Sequence, residues 1–424
     1  MIRPVADSDP TRRPRVLLLL PGGTYRAPDF IAAAESLEVE VVVGADFEQA
    51  MAAQMGDRAV LVPLGDPAAG LAAVLELHRR APIHAVVAVD DQGALVATAA
   101  AVALGFPHNP IDAVRVTRDK AAMRERFRAA GLPQPSFAGV PAAAKPDAVA
   151  ALAAGVGFPV VVKPVSLSAS RGVIRADTSV ELLAALARSR AIVRAAGQPD
   201  TEPLLLEAFV PGREVAIEAI LDHGDLHVLA VFDKPDALEG PFFEETIYVT
   251  PSCEPTAVQA QIADAVAVAC AAVGLVEGPV HAELRIDPDD HHLTVLEIAA
   301  RTIGGLCGRT LRFGAGISLE SLVIAHALGR PFSGRARIGG ASGVMMLPIP
   351  AAGVLRSVDG QDRARAVPDI EGLEITVTAG RTVEPLPESD RYLGFLFARA
   401  ATPAAVETAL RAAHAELRVT IDPI

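Results

Sequence analysis

The sequence predicts a mixed α/β and α+β fold, in which a doubly wound parallel-sheet domain precedes an α+β core and a C-terminal α+β portion. Two observations predict it. Apolar strands and alanine-rich helices alternate with short links over about the first hundred residues, which is typical of a parallel sheet. From about Ile111 the alternation gives way to charged helices and paired strands.

The N-terminal part alternates between the two element types. "RVLLLLPGG" predicts a strand that ends in a Pro-Gly-Gly turn, "DFIAAAESL" a helix, and "VEVVVGAD" a second strand. The helical patterns "AAGLAAVLELHRR" and "GALVATAAAVALG" flank the strand "IHAVVAVDD". Because ligands of such sheets bind at the carboxyl ends of the strands, we expect Gly22, Gly23, Asp90 and Asp91 to border a ligand.

The rest of the chain is predicted as α+β. "TRDKAAMRERFRAA" predicts a charged helix, "FPVVVKPV" a strand, "SLSASRGV" a small-residue loop and "SVELLAALARSRAIVRAA" a helix. "PLLLEAFVPGREVAIEAIL" predicts two strands around a Pro-Gly break, and "VEGPVHAELRIDPDDHHLTVLEIAARTIGG" a β-hairpin with a polar tip. We expect a loose arm over residues 1–14 and four structured parts, over residues 15–112, 113–204, 205–335 and 336–424.

Composition excludes several classes of protein. The chain has 424 residues, a formal net charge of −13, 51% hydrophobic residues and 4% aromatic residues. An acidic chain without a basic run argues against nucleic acid as a partner, and no uncharged apolar run reaches the roughly 18 residues that span a bilayer. Cys253, Cys270 and Cys307 lack metal-ligand spacing, which fits a reducing cytoplasm.

The predicted hairpin brings two carboxylates together. With the turn centred near Asp290, cross-strand partners have position numbers with a constant sum, so Glu283 faces Glu297. His281 shares the face of Glu283 because side chains alternate, and Ala299 is its partner. Opposed carboxylates repel each other, and Mg²⁺ would offset that repulsion. A register slip that moves one glutamate into solvent is the open alternative.

The stretch "VVVKPVSLSASRGV" predicts a phosphate site. Lys163 ends an apolar strand, where a lysine is rarely buried without a partner, and Ser166, Ser168, Ser170 and Gly172 follow it. Small residues let backbone N–H groups approach phosphate oxygens, and the lysine adds a point charge. A solvent loop with a lysine that reaches to the surface is the alternative.

The stretch "LLLEAFVPGREV" has two interpretations. Glu207 closes a buried strand, and Glu214 follows the Pro-Gly break. An extended apolar segment suits adenine, and a carboxylate such as Glu214 accepts hydrogen bonds from ribose hydroxyls. Alternatively, Glu214 pairs with Arg213 or with a nearby lysine.

Taken together, these elements resemble the ATP-grasp superfamily. The order of the motifs carries the resemblance: a helix lysine (Lys120), a strand lysine (Lys163) with its loop, the hinge "EAFVPGRE", then "HAEL" and "LEIAAR". The match covers roughly residues 15–335. The segment "FDKPDALEGPFFEETIYVTPS" is similar to the branch of L-amino-acid ligases and carnosine synthases, in which this region lines the acceptor pocket.

The resemblance implies a fold with ATP between a lid subdomain, residues 113–204, and a catalytic subdomain, residues 205–335. It implies Lys120 and Lys163 on the phosphates, beneath a mobile loop. The residues implied in that loop are Ser168, Ser170, Arg171, Gly172 and Val173. The residues implied around the nucleoside are Glu207, Ala208, Phe209 and Val210 at adenine and Glu214 at ribose.

The resemblance also implies that Glu283 and Glu297 hold Mg²⁺ and that Arg301 faces the reacting carboxyl-phosphate group. Further candidates for substrate contact are Glu245, His281, Gly304 and Gly305, and Glu245 is also a candidate for completing the metal site. One departure concerns Ala299, because ATP-grasp enzymes usually have asparagine there. A ligand for a second Mg²⁺ is therefore missing.

The implied function is an ATP-dependent carboxylate–amine ligase that forms a dipeptide-like amide through an acyl phosphate and releases ADP and phosphate. Two alternatives stay open: a bicarbonate-using carboxylase of the same fold, and a nucleotide-binding protein without ligase turnover, which Ala299 would explain. The expected partners are small-molecule carboxylates and amines, with no nucleic acid and no membrane. A homodimer is left open, and the expected location is the cytoplasm.

Overall fold

The computed structural model describes residues 13–49, 52–331 and 336–424, so almost all of the arm predicted over residues 1–14 lies outside the described ranges. The strands are β1 Arg15–Leu19, β2 Glu40–Ala45, β3 Ala59–Leu61, β4 Ala85–Ala88, β5 Phe137–Val140, β6 Val160–Pro164, β7 Ile174–Ala176, β8 Leu204–Ala208, β9 Arg213–Asp222, β10 Asp225–Lys234, β11 Ile247–Thr250, β12 Gly278–Ile286, β13 Leu293–Ala299, β14 Ala341–Leu347, β15 Gly353–Asp359, β16 Ile370–Ile375, β17 Thr382–Val383, β18 Gly394–Ala400 and β19 Arg418–Asp422. The helices are α1 Ala27–Ser36, α2 Ala52–Met55, α3 Pro67–Arg80, α4 Ala94–Leu104, α5 Ile111–Thr117, α6 Lys120–Ala129, α7 Pro146–Val156, α8 Ser179–Ala195, α9 Thr256–Val273, α10 Leu319–Ala327, α11 Gln361–Arg365 and α12 Pro403–Ala415.

The N-terminal sheet is parallel and has the strand order β3-β2-β1-β4. Alternate residues of β1 enter different cores, because strand side chains point to opposite faces. Val16 and Leu18 pack with Phe30 of α1, whereas Leu17 and Leu19 pack with residues of α3 and α4. Helices on both faces confirm the doubly wound prediction.

A second sheet, antiparallel in the order β5-β8-β6-β7, carries helices α7 and α8. Val160 and Val162 of β6 pack in the core with Leu182 of α8. The intervening residues Val161 and Lys163 face the opposite way and line a cleft. The period-two pattern of this strand therefore presents the lysine to the cleft.

The third sheet has eight strands in the order β13-β12-β9-β10-β11-β14-β18-β16. The pairing of β11 with β14 joins the strands β9 to β13 to the C-terminal strands, for example through Ile247 opposite Met345. The sheet is thus continuous across the part boundary predicted at residue 335, and that boundary stays a prediction. A small sheet, β17-β15-β19, completes the C-terminal α+β portion.

Helix α9 is, within the described ranges, the one helix long and apolar enough to cross a membrane. Its Val258, Ile262 and Val266 lie in a core together with residues of β12 and β13, such as Leu284 and Ile298. Helix α9 therefore packs one face into the core of the fold. All three cysteines of the chain are described, and none forms a disulfide.

Candidate active site

A cleft of about 400 Å³ lies where the three sheets meet. The parallel sheet contributes the carboxyl ends of its strands, including Gly22, Gly23, Asp90 and Asp91, as predicted. The other sheets contribute the remaining lining. Of the predicted site residues, the cleft is lined by Lys120, Lys163, Ser168, Ser170, Val173, Glu207, Ala208, Phe209, Val210, Glu214, Glu245, His281, Glu283, Glu297, Arg301, Gly304 and Gly305.

The floor of the cleft carries the paired glutamates. Glu283 of β12 is the direct cross-strand partner of Glu297 in β13, and His281 is the partner of Ala299, so the predicted pairing is confirmed at these residues. Nearer the hairpin tip the register differs by one residue from the predicted one, since Leu284 pairs with Val295. A bulge at Leu296 makes up the difference and brings Glu283 opposite Glu297.

Each glutamate of the pair also faces a lysine. Glu297 lies 3.3 Å from Lys120 Nζ, which donates to the Leu167 carbonyl at 2.7 Å. Glu283 lies 3.4 Å from Lys234 Nζ and 3.3 Å from His281 Nε2. Burial opposes ionisation of Glu283, but Lys234 and His281 outweigh it and hold its pKa well below the ordinary value.

Lys234 is a buried cation among three carboxylates. Its Nζ lies 2.7 Å from Glu214 and 2.5 Å from Glu245, in addition to the contact with Glu283. Burial alone would lower the pKa of Lys234, but Glu214 and Glu245 raise it well above the ordinary value. Sequence reasoning missed this residue. The available signal was a lysine two residues after the apolar run "VLAVF", a weaker form of the pattern that identified Lys163.

Glu214 has both carboxylate oxygens engaged by cations. Oε1 contacts Lys234, and Oε2 accepts from Arg285 Nε at 3.0 Å. Arg285 also donates to the carbonyl of Val210 at 3.1 Å and thereby holds the hinge. Arg213 pairs with Glu254 instead. The alternative that Glu214 pairs with a nearby lysine is therefore confirmed, and a role at ribose stays a prediction.

Glu207 is also committed to protein partners. Its side chain contacts Arg124 Nε at 2.5 Å and Lys163 Nζ at 2.6 Å and is 2% exposed. Burial favours the neutral acid, but Arg124 and Lys163 prevail and lower the pKa to about 2. The Glu207 carboxylate thus holds Arg124 and Lys163 while it lines the cleft, and its contact with adenine stays a prediction.

Two of the three hinge N–H groups that were expected to face adenine already have partners within the protein. The Ala208 N–H donates to Ser136 and the Phe209 N–H donates to Pro159, both at 2.8 Å. Across the described part of the chain, no hydrogen bond engages the Val210 N–H. Val210 lines the cleft, and its N–H is the donor that remains for a base.

The small-residue loop divides into two halves. Ser168 and Ser170 line the cleft, whereas Arg171 and Gly172 are not among its lining residues. Gly172 N–H donates to the Pro387 carbonyl at 2.9 Å, and Arg171 Nε donates to the Glu388 carbonyl at 2.8 Å. Arg171 and Gly172 therefore attach the loop to the C-terminal portion, and their place over the phosphates stays a prediction.

Arg301 is held by Asp91, which lies just after strand β4 of the parallel sheet. Its Nε donates to Asp91 Oδ2 at 2.8 Å, and Nη1 donates to the Thr302 carbonyl at 2.9 Å. Burial disfavours the Asp91 carboxylate, but Arg301 lowers its pKa below the ordinary value. Gly305 has a φ of +61°, and an added Cβ would lie 2.9 Å from Phe395. Only glycine suits that position without strain.

His281 lies between two carboxylates. Nδ1 is 2.6 Å from Glu218 Oε1 and Nε2 is 3.3 Å from Glu283 Oε1. Burial would lower the pKa of His281, but the hydrogen bonds to Glu218 and Glu283 raise it to about 9. Glu218 is fully buried, and its Oε2 has no hydrogen-bond partner among the described residues. His281 therefore helps to position the carboxylate of Glu283 through this hydrogen bond.

Three sheets thus surround a cleft lined by lysines and carboxylates. The chain belongs to the ATP-grasp superfamily and is an ADP-forming carbon–nitrogen ligase of that superfamily. The family described as the ATP-grasp domain matches residues 156–310, and L-amino acid ligase C-terminal domain 2 matches residues 345–422.

Relatives support this membership. A D-alanine–D-alanine ligase of Gloeobacter violaceus is 30% identical over 232 residues, which cover 52% of this chain and 72% of that protein. The crystal structure of L-amino acid ligase from Bacillus licheniformis has 25% identity and a TM-score of 0.78, over 97% of this chain and 100% of that one.

A third likeness concerns the fold alone. Carboxyaminoimidazole ribonucleotide synthase from Aspergillus clavatus, solved in complex with ATP, is 18% identical. Its TM-score is 0.73, over 96% of this chain and 99% of that one.

Proposed function

We propose that the protein is an ATP-dependent carboxylate–amine ligase that forms a dipeptide-like amide through an acyl phosphate. The observation that carries the proposal is the convergence in one cleft of the Glu283–Glu297 pair, the lysines Lys120 and Lys163, and Arg301. The likeness to an L-amino acid ligase over nearly the whole chain, including the C-terminal portion, favours an amine acceptor.

Two directly opposed carboxylates on the floor of the cleft fit Mg²⁺, which binds proteins through one or two carboxylates together with substrate phosphates. Glu283 and Glu297 would hold the ion, and it would neutralise charge on the transferring phosphoryl group. Lys120 lies beside Glu297 and Lys163 lines the same cleft, and both would bind the nucleotide phosphates, as single positive charges do.

The nucleoside would occupy the hinge. Val210 N–H would donate to the base, and the Phe209 ring, with the guanidinium carbon of Arg175 4.2 Å from its centroid, would border it. Glu214 would accept from ribose if the hydroxyl shares the carboxylate with Lys234. Ser168 and Ser170 would donate to phosphate oxygens from the loop above.

The chemistry takes two steps. An oxygen of the substrate carboxylate attacks the γ-phosphorus, the bond to the β–γ bridging oxygen breaks, and ADP leaves. The amine nitrogen then attacks the acyl carbon, phosphate leaves, and the nitrogen loses a proton. Arg301, held by Asp91, has a planar fork with fixed charge and would bind the acyl phosphate and the oxyanion that follows.

The decisive test is a phosphate-release screen over pairs of amino acids and other carboxylic acids. We expect release only when a carboxylate and an amine are both present. Release that depends on bicarbonate would indicate the carboxylase, and ATP binding without release would indicate a binding protein. With an active carboxylate, hydroxylamine should trap an acyl hydroxamate. Its absence for every active substrate would rule out a free acyl phosphate.

A further inference from the structure

A second cluster of ligand-type side chains lies outside the cleft. Asp222 ends β9 and His223 follows it in the turn, Glu277 directly precedes β12, and His326 lies in the last turn of α10. None of the four lines the cleft. Because a strand rises about 3.3 Å per residue, Glu277 is about 20 Å along the strand from Glu283. The cluster is therefore separate from the nucleotide site.

The ligand atoms of this cluster converge. One carboxylate oxygen each of Asp222 and Glu277 and one ring nitrogen of His326 all lie within 4.8 Å of one another. His326 Nε2 is 3.0 Å from Glu277 Oε2, and His223 Nδ1 is 2.8 Å from Glu277 Oε1. Ligand atoms around a tetrahedral zinc ion are about 3.3 Å apart, given metal–ligand bonds of about 2.0 Å. Small rotations of these side chains would let their ligand atoms coordinate a single ion.

His326 Nε2 faces both a backbone N–H and a carboxylate. Gly278 N–H donates to His326 Nε2 at 3.2 Å, which makes Nε2 the nitrogen with the lone pair. The same nitrogen faces the Glu277 carboxylate. Without a proton between them, the two lone pairs oppose each other unless a cation lies there. If Nε2 is protonated instead, the Gly278 N–H faces another N–H, so either assignment leaves one contact unfavourable.

Histidines are the basic partners of the carboxylates in this cluster. Among the described residues, Asp222 and Glu277 form ion pairs with histidines and with no lysine or arginine. The Glu277 side chain is only 10% exposed, and buried carboxylates are ordinarily paired with a cation or bound to a metal. The acidic cluster in the cleft differs, since Lys234 lies among its carboxylates.

The backbone of Glu277 is fixed in place. Asn109 Oδ1 accepts from the N–H groups of Val276 at 2.7 Å and Glu277 at 2.9 Å, and Asn109 Nδ2 donates to the Glu277 carbonyl at 2.7 Å. Groups around a metal that hold its ligands in position strengthen binding. Asn109 would supply that support here.

We propose that Asp222, Glu277 and His326, with His223 as the fourth ligand, form a binding site for a divalent transition metal of the zinc class. Imidazole and carboxylate ligands together suit zinc, whereas Mg²⁺ and Ca²⁺ prefer oxygen ligands alone. The ion would join α10, which contributes Val323 and Ile324 to a core of the parallel sheet, to the ends of β9 and β12. It would thus link two parts of the fold.

The test is zinc binding by the full chain, stripped with a chelator and dialysed against Zn²⁺ without nucleotide. We expect one zinc per chain by elemental analysis and an increase in the midpoint of thermal unfolding. Asp222→Asn and His223→Ala alter side chains that are 37% and 86% exposed, so both variants should fold. Each should weaken zinc binding at least about tenfold, and Glu277→Gln should abolish it.

A matched control addresses weak binding at the hairpin tip, where exposed histidines lie beside aspartates. The double variant His291→Ala and His292→Ala should bind zinc as the wild type does. Cobalt adds a spectroscopic readout, because its visible absorption reports the ligand set and should change in Asp222→Asn and His223→Ala. The proposal is overturned if the wild type retains no stoichiometric zinc, if Asp222→Asn and His223→Ala bind it unchanged, or if only the tip variant loses it.

Discussion

Glu283 and Glu297 lie directly opposite each other in β12 and β13, and each faces a lysine from a different element. Lys120 begins α6, whereas Lys234 ends β10. The negative charges of the two glutamates are therefore compensated because α6 and β10 both bring a lysine to the hairpin. The same arrangement leaves the glutamates facing an open cleft, where a metal and phosphates can bind.

Glu297→Gln should reduce ADP formation by at least about 100-fold, because changes even to groups behind the ligands cost up to about that much. The amide keeps the size of the side chain but removes the charge that would bind Mg²⁺. ADP release and far-UV circular dichroism are the measurements. Glu35→Gln, an exposed change in α1, is the control, and turnover like that of the wild type in Glu297→Gln would refute the metal assignment.

Ala299→Asn should lower the Mg²⁺ concentration needed for half-maximal turnover. Ala299 lines the cleft on the face of Glu297, so the new amide oxygen would supply the ligand that the chain lacks. Ala299→Leu adds a side chain of similar size without a ligand atom and serves as the control. If both variants show the same Mg²⁺ dependence, position 299 does not contribute to metal binding.

Acid should destabilise the fold through Glu207. Its pKa in the folded protein is about 2, below the ordinary value of 4.5, so its stabilisation is complete above about pH 4.5 and is lost as pH falls toward 2. The shift corresponds to about 3 kcal/mol. Urea unfolding at neutral pH and at about pH 3 measures the loss.

Glu207→Gln is the matched variant for that pH dependence. It should be less stable at neutral pH by about 3 to 5 kcal/mol, because Arg124 and Lys163 lose the charge that compensates them. Between neutral pH and about pH 3 it should then lose less stability than the wild type. An equal loss in both proteins would mean that other carboxylates cause the acid sensitivity.

Arg188→Ala should raise the KM for ATP with little change in kcat. Arg188 donates to both carboxylate oxygens of Glu388, at 2.6 and 2.9 Å, in the segment that also holds Arg171 and Gly172 of the loop. Both side chains are partly exposed, so the pair contributes at most about 1 kcal/mol, or up to about fivefold in KM.

Charge reversal distinguishes the ion pair from general damage to α8. The double variant Arg188→Glu with Glu388→Arg should restore the KM, whereas each single reversal should raise it. Arg363→Ala removes a comparably exposed pair with Glu416 elsewhere in the C-terminal portion and should leave the KM unchanged. Failure of the double reversal to recover would contradict the role of this pair in holding the loop.

The sequence by itself determined the elements, because the type of an element depends on neighbouring residues. Alternation along β6 presents Lys163 to the cleft. The predicted pairing of Glu283 with Glu297 is confirmed, but the turn alone does not produce it. The pairs nearer the tip are offset by one residue from the predicted register, and the bulge at Leu296 restores that register at the two glutamates.

Only the tertiary structure decided which charges meet. Lys234 joins Glu214 and Glu245, Arg124 takes the carboxylate of Glu207, and Asp91 holds Arg301 across 210 positions of sequence. These partners lie on elements that are distant along the chain, so no periodicity relates them. Burial then makes each pairing obligatory, because a buried charge without a partner is costly, and the packing of the three sheets selects the partner.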